Sequence, residues 1–134
     1  MNPYLNLWGK PRIGAGTTIG AFCDIGDVII GRNCVIQCHV SIPPGWVIGD
    51  NVFIGPGARF ANDKRPELGK TFTPIRGSVG DGAVIGMGAL IGAGVNIGKG
   101  VTIGMGAVVL KDIPAGTWVG NPARPLQSKF AKQT

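Results

Sequence analysis

The sequence predicts an all-β protein, a parallel β-helix in which short strands stack into a solenoid. The main observation is an aliphatic or aromatic residue that recurs every six positions, with one five-residue step and one interruption. These anchors are Ile13, Ile19, Ile25, Ile30, Ile36, Ile42, Ile48, Ile54, Phe60, Val79, Ile85, Ile91, Ile97, Ile103 and Val109. Glycine follows most anchors, and a small or β-branched residue stands four positions after most of them, with Trp46 as the large exception. A fixed period held over this length is typical of solenoid proteins.

Each six-residue unit has a simple physical interpretation. Because side chains alternate along an extended strand, the anchor and the residue four positions later point to the same side. The anchor fills the interior, and the smaller residue fits near a corner. Glycine directly after the anchor allows turn conformations that other residues rarely adopt. No unit buries its apolar side alone, so the core forms only when coils stack about 4.8 Å apart with parallel hydrogen bonds.

The 134 residues are interpreted as one β-helix domain, residues 1–134. We expect residues 1–11 to cover the open end of the first coil, which would otherwise expose unpaired strand edges. The regular helix is expected to end at residues 111–116. A short polar tail, residues 126–134, follows it.

The hexad pattern is lost over residues 61–73, where a loop is predicted to leave a corner of the β-helix. The anchors Phe60 and Val79 are 19 residues apart, one more than three hexads, and the segment 62–67 is polar and contains Pro66. Loops on rigid scaffolds commonly carry binding and catalytic residues. A tolerated surface insertion is the alternative interpretation.

Composition and charge exclude several classes of protein. No apolar run is long enough to span a membrane, and residues 1–10 lack the pattern of a signal peptide, which together predict a cytoplasmic protein without a membrane partner. The net charge of +6 comes from basic residues spread singly, and aromatic residues make up only 7% of the chain. This pattern does not favour nucleic-acid binding, whereas a positive surface also suits anionic small molecules such as coenzyme A and sugar nucleotides.

The three cysteines give no catalytic or disulfide framework. Cys23 and Cys34 stand at the small-residue core position and are expected to be buried thiols. Cys38 falls on a turn beside His39, but adjacent residues on a strand or turn rarely face one another, which disfavours a catalytic pair. The chain also lacks the residues for a disulfide framework.

The tandem pattern of an aliphatic residue, glycine, two variable residues and a small residue resembles that of the hexapeptide-repeat acyltransferases. The resemblance implies a left-handed parallel β-helix with three hexads per coil and a homotrimer with active sites between subunits. The left hand is implied by resemblance only, because the general rule for parallel crossovers favours the right hand. The repeat is much more specific for the fold than for the chemistry.

Two segments near the end sharpen this resemblance. Residues 108–114, VVLKDIP, and 120–124, GNPAR, are similar to the ending of acetyl-CoA-dependent members of the family. The resemblance implies that Lys111 and Arg124 meet the phosphates of coenzyme A; a solvated end cap is the alternative. It also implies that three corner residues let the pantetheine arm lie close to the backbone. These are Gly88, Gly106 and Ala107.

Residues 51–66, NVFIGPGARFANDKRP, look like a stretch of the nucleotide-linked 3-amino-sugar N-acetyltransferases. Residues 36–42, IQCHVSI, resemble a second run in the same enzymes. Those enzymes acetylate UDP- or dTDP-linked 3-amino-3-deoxy sugars for glycans such as lipopolysaccharide O-antigen or S-layers. Departures from their pattern leave the identity of the sugar open. They are His39 for Asn, Ala61 for Thr, Glu67 for Arg, and Pro43 and Pro44 for a Tyr-Glu pair.

The implied reaction places a neutral amine about 3–3.5 Å from the thioester carbon of acetyl-CoA. Asn62 is predicted to orient this amine, and Asp63 to accept its proton or to hydrogen-bond the sugar. His39, the only histidine, is a second candidate base, with a structural corner histidine as its alternative. The resemblance also implies that the departing thiolate can take the proton, as in some relatives, so that loss of either residue would only slow the reaction.

Two other functions stay open at this point. One is an O-acetyltransferase acting on a sugar or antibiotic hydroxyl, which usually depends on a histidine base; His39 keeps this alternative open. The other is a β-helical structural protein that has lost its activity. γ-Carbonic anhydrase shares the fold but needs three histidines for zinc, and this chain has one, so no metal site is predicted.

Overall fold

The computed structural model describes residues 4–120, and this part of the chain is built from short β-strands joined by tight corners. Within it there is no helix that could cross a membrane. The strands are Asn6–Leu7 (β1), Arg12–Ile13 (β2), Thr18–Ile19 (β3), Asp24–Ile25 (β4), Ile29–Ile30 (β5), Val35–Ile36 (β6), Ser41–Ile42 (β7), Trp46–Ile48 (β8), Phe53–Ile54 (β9), Arg59–Phe60 (β10), Gly77–Val79 (β11), Val84–Ile85 (β12), Leu90–Ile91 (β13), Asn96–Ile97 (β14), Thr102–Ile103 (β15), Val108–Val109 (β16) and Trp118–Val119 (β17).

Three parallel sheets form three faces, because every third strand stacks on its equivalent in the next coil. Face 1 contains β1, β4, β7, β10, β13 and β16 in that order. Face 2 contains β2, β5, β8, β11 and β14, and face 3 contains β3, β6, β9, β12, β15 and β17. Anchors pair with anchors, as Ile48 does with Ile30 and Val79. The predicted all-β parallel solenoid is confirmed, and its left hand stays a prediction.

The anchors and the small corner residues form one continuous core along the axis of the β-helix. In most strands the residue before the anchor is exposed and the anchor is buried, as in Val35–Ile36 and Phe53–Ile54. No polar or charged side chain is buried within residues 4–120. Burial of each anchor contributes about 1.5–3 kcal/mol relative to exposure, so the stacked anchors hold the coils together.

The β-helix begins earlier than the sequence pattern predicted. Leu7 stands six residues before Ile13, lies in β1, and packs against the core. Strand β1 pairs in register with β4, so residues 6–7 are the first rung of face 1. Residues 6–7 therefore cover the strand edge of β4 as a regular rung of the β-helix, while Tyr4 and Trp8 beside them are exposed.

The β-helix also ends later than predicted. Ile113 forms a parallel bridge with Ile97, and Val119 in β17 pairs with β15. The prediction that the regular helix ends at residues 111–116 is therefore wrong. A spacing of only four residues from the anchor Val109 to the anchor Ile113 concealed the continuing pattern. The predicted tail, residues 126–134, lies outside the described residues.

All departures from the six-residue period fall on one edge, where face 1 passes into face 2. We call this edge 1–2, and name edge 2–3 and edge 3–1 in the same way. The anchor spacing across edge 1–2 is five after Ile25, nineteen after Phe60 and four after Val109. Every corner on the other two edges in residues 4–120 keeps the spacing of six. Variable connections on a rigid scaffold commonly carry function, so edge 1–2 is the first place to look for a site.

The glycines directly after the anchors are required by the close approach of neighbouring coils. A β-carbon added to Gly86 would lie 2.6 Å from the Met105 nitrogen and 2.7 Å from the Gly104 carbonyl carbon. Gly86→Ala is therefore expected to lower the free energy of unfolding by about 1–3 kcal/mol, as overpacking typically does. Urea unfolding measures this change.

The matched control lies one coil further along, on edge 2–3. Gly100 has φ +66° with open space around its β-carbon position, and Asn33 and Asn51 occupy the equivalent corner position at φ 56° and 57°. Asparagine tolerates this left-handed conformation. Gly100→Asn is therefore expected to leave the urea midpoint nearly unchanged. An equal loss of stability in both variants would show that contact between coils does not explain the glycine after each anchor.

Candidate active site

The loop predicted at residues 61–73 leaves the β-helix on edge 1–2. No strand lies between β10 and β11, and the two limbs of the loop are joined at its base. The Ile75 backbone N–H donates a hydrogen bond of 2.9 Å to the Asn62 carbonyl. Residues 63–74 are thereby held as a closed excursion from the corner.

Trp46 supports the base of this loop from inside the core. Its side chain is 1% exposed, and its ring packs edge-on against Phe60 with 4.8 Å between ring centroids. Its indole N–H donates to the Ala61 carbonyl at 2.9 Å. Trp46 pairs across the rung with Gly77, where a β-carbon would lie 2.6 Å from the indole. The one large residue at a small-residue position thus fits because its neighbour on the next coil has no side chain.

The side chain of Asn62 is fixed by a hydrogen bond to the neighbouring coil. Its Nδ2 donates to the Pro44 carbonyl at 3.0 Å, and the residue is half-buried. An amide has two donor hydrogens on nitrogen and an acceptor oxygen. With Nδ2 held against Pro44, the Oδ1 atom is left to accept a hydrogen bond from a ligand. Asp63, also half-buried, accepts a hydrogen bond from the Arg65 N–H through Oδ1 at 2.9 Å.

The other candidate base, His39, lies on edge 3–1. It is an exposed corner residue with φ 60°, and its ring stacks on Phe22 at 5.1 Å between centroids. Phe22 in turn stacks on Tyr4 at 5.4 Å. The adjacent residues Cys38 and His39 share this corner.

The glycines predicted to accommodate a pantetheine arm continue the same edge. In the coils after His39, the equivalent corner position is occupied by Gly57, Gly88 and Gly106, each with positive φ. No atom lies within 4 Å of the β-carbon position of any of these three glycines. Along edge 3–1, the corners of the first coils therefore carry stacked aromatic side chains, whereas the later corners carry glycines without side chains. Ala107 is 4% exposed and belongs to the core, so only its backbone can meet a ligand.

The structure thus divides the predicted site residues between two edges of one chain. Asn62, Asp63 and Lys111 lie on edge 1–2, with Lys111 two coils beyond Asn62 and exposed. His39, Gly88 and Gly106 lie on edge 3–1, on the other side of face 1. Asn62 and Lys111 therefore stand on the same edge of the chain. Arg124 lies outside the described residues.

Sequence reasoning missed a cleft beside the loop. Its volume is about 460 Å³, and it lies along edge 1–2 and face 2. Three basic residues, one acidic residue and the return limb of the loop contribute to its walls. These are Lys10, Arg12, Arg76, Asp27 and Thr73. In the sequence, Lys10 and Arg76 each stand three residues before a face 2 anchor. This shared position indicates a common site only when the stacking of the coils is known.

The cysteines are arranged as the sequence predicted. Cys23 and Cys34 are buried, and their thiols donate to the carbonyls of Gln37 at 3.0 Å and Gly49 at 3.1 Å. Burial raises the pKa of the Cys23 thiol. Cys38 is partly exposed. Within residues 4–120 no group of three His, Cys, Asp or Glu side chains could hold a metal ion.

These differences predict the reactivity of the thiols. Because the thiolate is the nucleophile and buried thiols are inert, we expect a thiol-specific disulfide reagent to modify about one cysteine per folded chain. Denatured protein should react at all three cysteines. Cys38→Ser should abolish the fast reaction of the folded protein, and rapid modification of Cys23 or Cys34 would contradict the buried arrangement.

The repeats match one known family. Residues 10–44, 27–62 and 77–111 match the model of the bacterial transferase hexapeptide (six repeats) family. These stretches cover more than half of the chain and follow the coils on both sides of the loop. The chain therefore belongs to the bacterial transferase hexapeptide family.

Several proteins of known structure or sequence are similar to this chain. WeeI from Acinetobacter baumannii AYE is 33% identical, with a TM-score of 0.72, over 92% of this chain and 56% of WeeI. A mutant perosamine N-acetyltransferase from Caulobacter crescentus, solved with CoA and GDP-perosamine, is 25% identical with a TM-score of 0.78, over 90% of this chain and 52% of the enzyme.

A shorter match links the chain to a curated protein. The bifunctional protein GlmU of Aromatoleum aromaticum is 43% identical over 44 residues, which are 33% of this chain and 10% of GlmU. The chain thus spans about half the length of the two solved relatives, and its matched segment spans a tenth of GlmU.

Proposed function

We propose that this protein is an acetyl-CoA-dependent N-acetyltransferase whose acceptor is the amine of a nucleotide-linked amino sugar, such as a 3-amino-3-deoxy sugar. Membership of a transferase family supports the reaction class. The perosamine N-acetyltransferase, which binds CoA and GDP-perosamine, supports the acceptor class. The observation that carries the proposal is the Asn62 amide, which is held against Pro44 at the base of a closed loop on the variable edge.

Asn62 is proposed to orient the acceptor amine. With Nδ2 bonded to Pro44, Oδ1 accepts one N–H of the acceptor amine and leaves the nitrogen lone pair free to attack. The lone pair forms a bond to the thioester carbon, the carbon–sulfur bond breaks, and coenzyme A leaves as the thiolate. Most of the acceleration comes from holding the two reactants about 3–3.5 Å apart in a productive orientation.

The amine loses one proton as the amide forms. Asp63 follows Asn62 directly in the sequence and is the first candidate to accept this proton. Its Oδ1 already accepts a hydrogen bond from the Arg65 N–H. Oδ2 is therefore the oxygen that would accept the proton or a hydrogen bond from a sugar hydroxyl. His39 is the second candidate base, from edge 3–1. The departing thiolate is a third acceptor, so loss of either side chain slows the reaction without stopping it.

The bare backbone of edge 3–1 suits the pantetheine arm of acetyl-CoA. The corners at Gly88 and Gly106 offer open space where other residues would place a side chain, and the backbone at Ala107 follows directly. The N–H groups of Gly88, Gly106 and Ala107 already donate to backbone carbonyls, so these corners are proposed to give the arm space, and another group is expected to donate to the oxyanion that develops on the thioester. Lys111 and Arg124 are proposed to meet the phosphates of coenzyme A.

A homotrimer would complete this site. Asn62 lies on edge 1–2 and the glycine corners on edge 3–1, so a cyclic assembly can bring edge 1–2 of one copy to edge 3–1 of the next. Face 1 lies between these two edges and offers an apolar surface for such an assembly. Leu90 and Val108 stand in register on its outer side, 46% and 56% exposed.

A thiol-release assay tests the proposal. The protein is incubated with acetyl-CoA and a panel of UDP-, dTDP- and GDP-linked 2-, 3- and 4-amino sugars, with the matching hydroxyl sugars as controls. Release of coenzyme A with at least one amino sugar, together with a thermal shift on adding CoA, supports the proposal. Turnover only with hydroxyl sugars would show an O-acetyltransferase, and neither turnover nor a CoA shift would show a scaffold.

A further inference from the structure

We propose that the cleft beside the loop binds the diphosphate of the acceptor nucleotide. This inference rests on the proposed function and adds the group that holds the non-reacting end of the acceptor. The cleft volume of about 460 Å³ lies within the range of small-molecule sites. Its residues come from three coils of edge 1–2 and from the return limb of the loop.

The charge of the cleft favours an anion. Lys10, Arg12 and Arg76 are exposed and line it, and none of them forms an ion pair with another residue in 4–120. The acidic residue of the cleft, Asp27, already accepts a hydrogen bond from the Lys10 backbone N–H. The cleft thus holds three cations and one carboxylate, and within residues 4–120 none of the three cations is in an ion pair. Arginine and lysine in such an arrangement suit phosphate oxygens, to which the guanidinium donates two parallel hydrogen bonds.

The cleft also has an apolar wall suited to a nucleoside. Ile29 and Val47 are neighbours on the outer side of face 2, and they are 46% and 42% exposed. Arg12 pairs with Ile29 in the next rung. A basic end and an apolar wall in one cleft match the two halves of a nucleoside diphosphate, with phosphates on the cations and the nucleoside against the aliphatic side chains.

The cleft is adjacent to the proposed reacting centre. Pro44 lines the cleft, and its carbonyl accepts the hydrogen bond from Asn62 Nδ2 at 3.0 Å. A diphosphate bound to the three cations would therefore direct its attached sugar along the corner toward Asn62. The variable edge would then carry both the recognition of the nucleotide and the orientation of the amine.

Binding measurements with single-charge variants test this site without requiring turnover. Isothermal titration of the full chain is carried out with UDP, dTDP, GDP and CoA separately, for wild type, Arg12→Gln and Arg76→Gln. Arg32→Gln is the matched control, because Arg32 is exposed on edge 2–3, away from the cleft. Thermal melting of each variant checks that the fold is kept.

The affinity of at least one nucleoside diphosphate is expected to fall about tenfold or more in Arg12→Gln and Arg76→Gln, as for the loss of a charged hydrogen bond. Arg32→Gln should bind as wild type, and CoA affinity should be unchanged in all three. Unchanged nucleotide affinity would overturn the inference, and so would a selective loss of CoA affinity, which would assign the cleft to the phosphates of coenzyme A.

The two proposals can fail separately. If wild-type protein acetylates an amino sugar nucleotide while both cleft variants bind nucleotide normally, the cleft inference is wrong and the proposed function stands. If no amino sugar is acetylated but nucleotide binding depends on Arg12 and Arg76, the proposed function is wrong and the cleft remains a nucleotide site.

Discussion

Trp46→Ala is expected to lower the free energy of unfolding by about 3–5 kcal/mol, the usual cost of removing a buried tryptophan. The indole is 1% exposed, packs against Phe60, and satisfies the Ala61 carbonyl at the base of the loop. Gly77 provides no side chain that could fill the resulting cavity. The change is measured by urea unfolding of the full chain.

Trp118→Ala is the matched control, because Trp118 is 79% exposed on face 3. An exposed substitution of this kind usually changes stability by about 0.5 kcal/mol or less. Trp46→Phe should fall between the two, since it keeps most of the ring and leaves the Ala61 carbonyl without its donor. Equal stability of Trp46→Ala and Trp118→Ala would contradict the packing of the loop base against the core.

Asn62→Ala is expected to lower kcat by about two orders of magnitude, the scale of the loss when a reacting group is misplaced by about 1 Å. The substitution removes the amide oxygen proposed to hold the acceptor amine. The variant keeps the hydrogen bond from the Ile75 N–H to the backbone carbonyl of residue 62 and the hydrogen bond from the Trp46 indole N–H to the Ala61 carbonyl. The loop is therefore expected to stay closed. The KM for acetyl-CoA should change little, because the cofactor is proposed to bind on edge 3–1. Steady-state thiol release with the best amino sugar measures both constants.

Asn6→Ala provides the control for this variant. Asn6 is exposed in β1 and donates to Asp24, so its loss removes an amide of the same size from the first coil. Its kcat should equal that of wild type. If Asn62→Ala keeps the wild-type kcat, another group orients the amine. If only the KM for acetyl-CoA rises, Asn62 contacts the cofactor instead.

The period of the anchors was sufficient to predict the fold, because each six-residue unit buries one apolar anchor in the same way. The same method failed at Ile113, because the anchor spacing there is four instead of six, although Ile113 still pairs with the neighbouring coil. It also missed Leu7, because the preceding residues do not repeat the pattern. The six-residue period in the sequence identifies the regular corners. The irregular corners are identified only by the hydrogen bonds between neighbouring coils.

The candidate site was harder to predict from the sequence than the fold. Trp46 appeared as an exception to the repeat, and only the rung that pairs it with Gly77, 31 residues later, explains why it fits. Lys10 and Arg76 are 66 residues apart, and stacking alone brings them to one cleft. The division of His39 and Asn62 between two edges likewise depends on which corner each occupies. Local patterns therefore named candidate residues, and the coil geometry determined which of them are neighbours.

The most direct test of the proposed site is a crystal structure with CoA and the best nucleotide-linked amino sugar. We expect the acceptor amine about 3 Å from Asn62 Oδ1, within hydrogen-bond distance. The cofactor sulfur should lie beside that amine, along the Gly88 and Gly106 corners of a neighbouring copy. An amine bound away from Asn62, or a sulfur on an edge without these glycines, would contradict the proposed site.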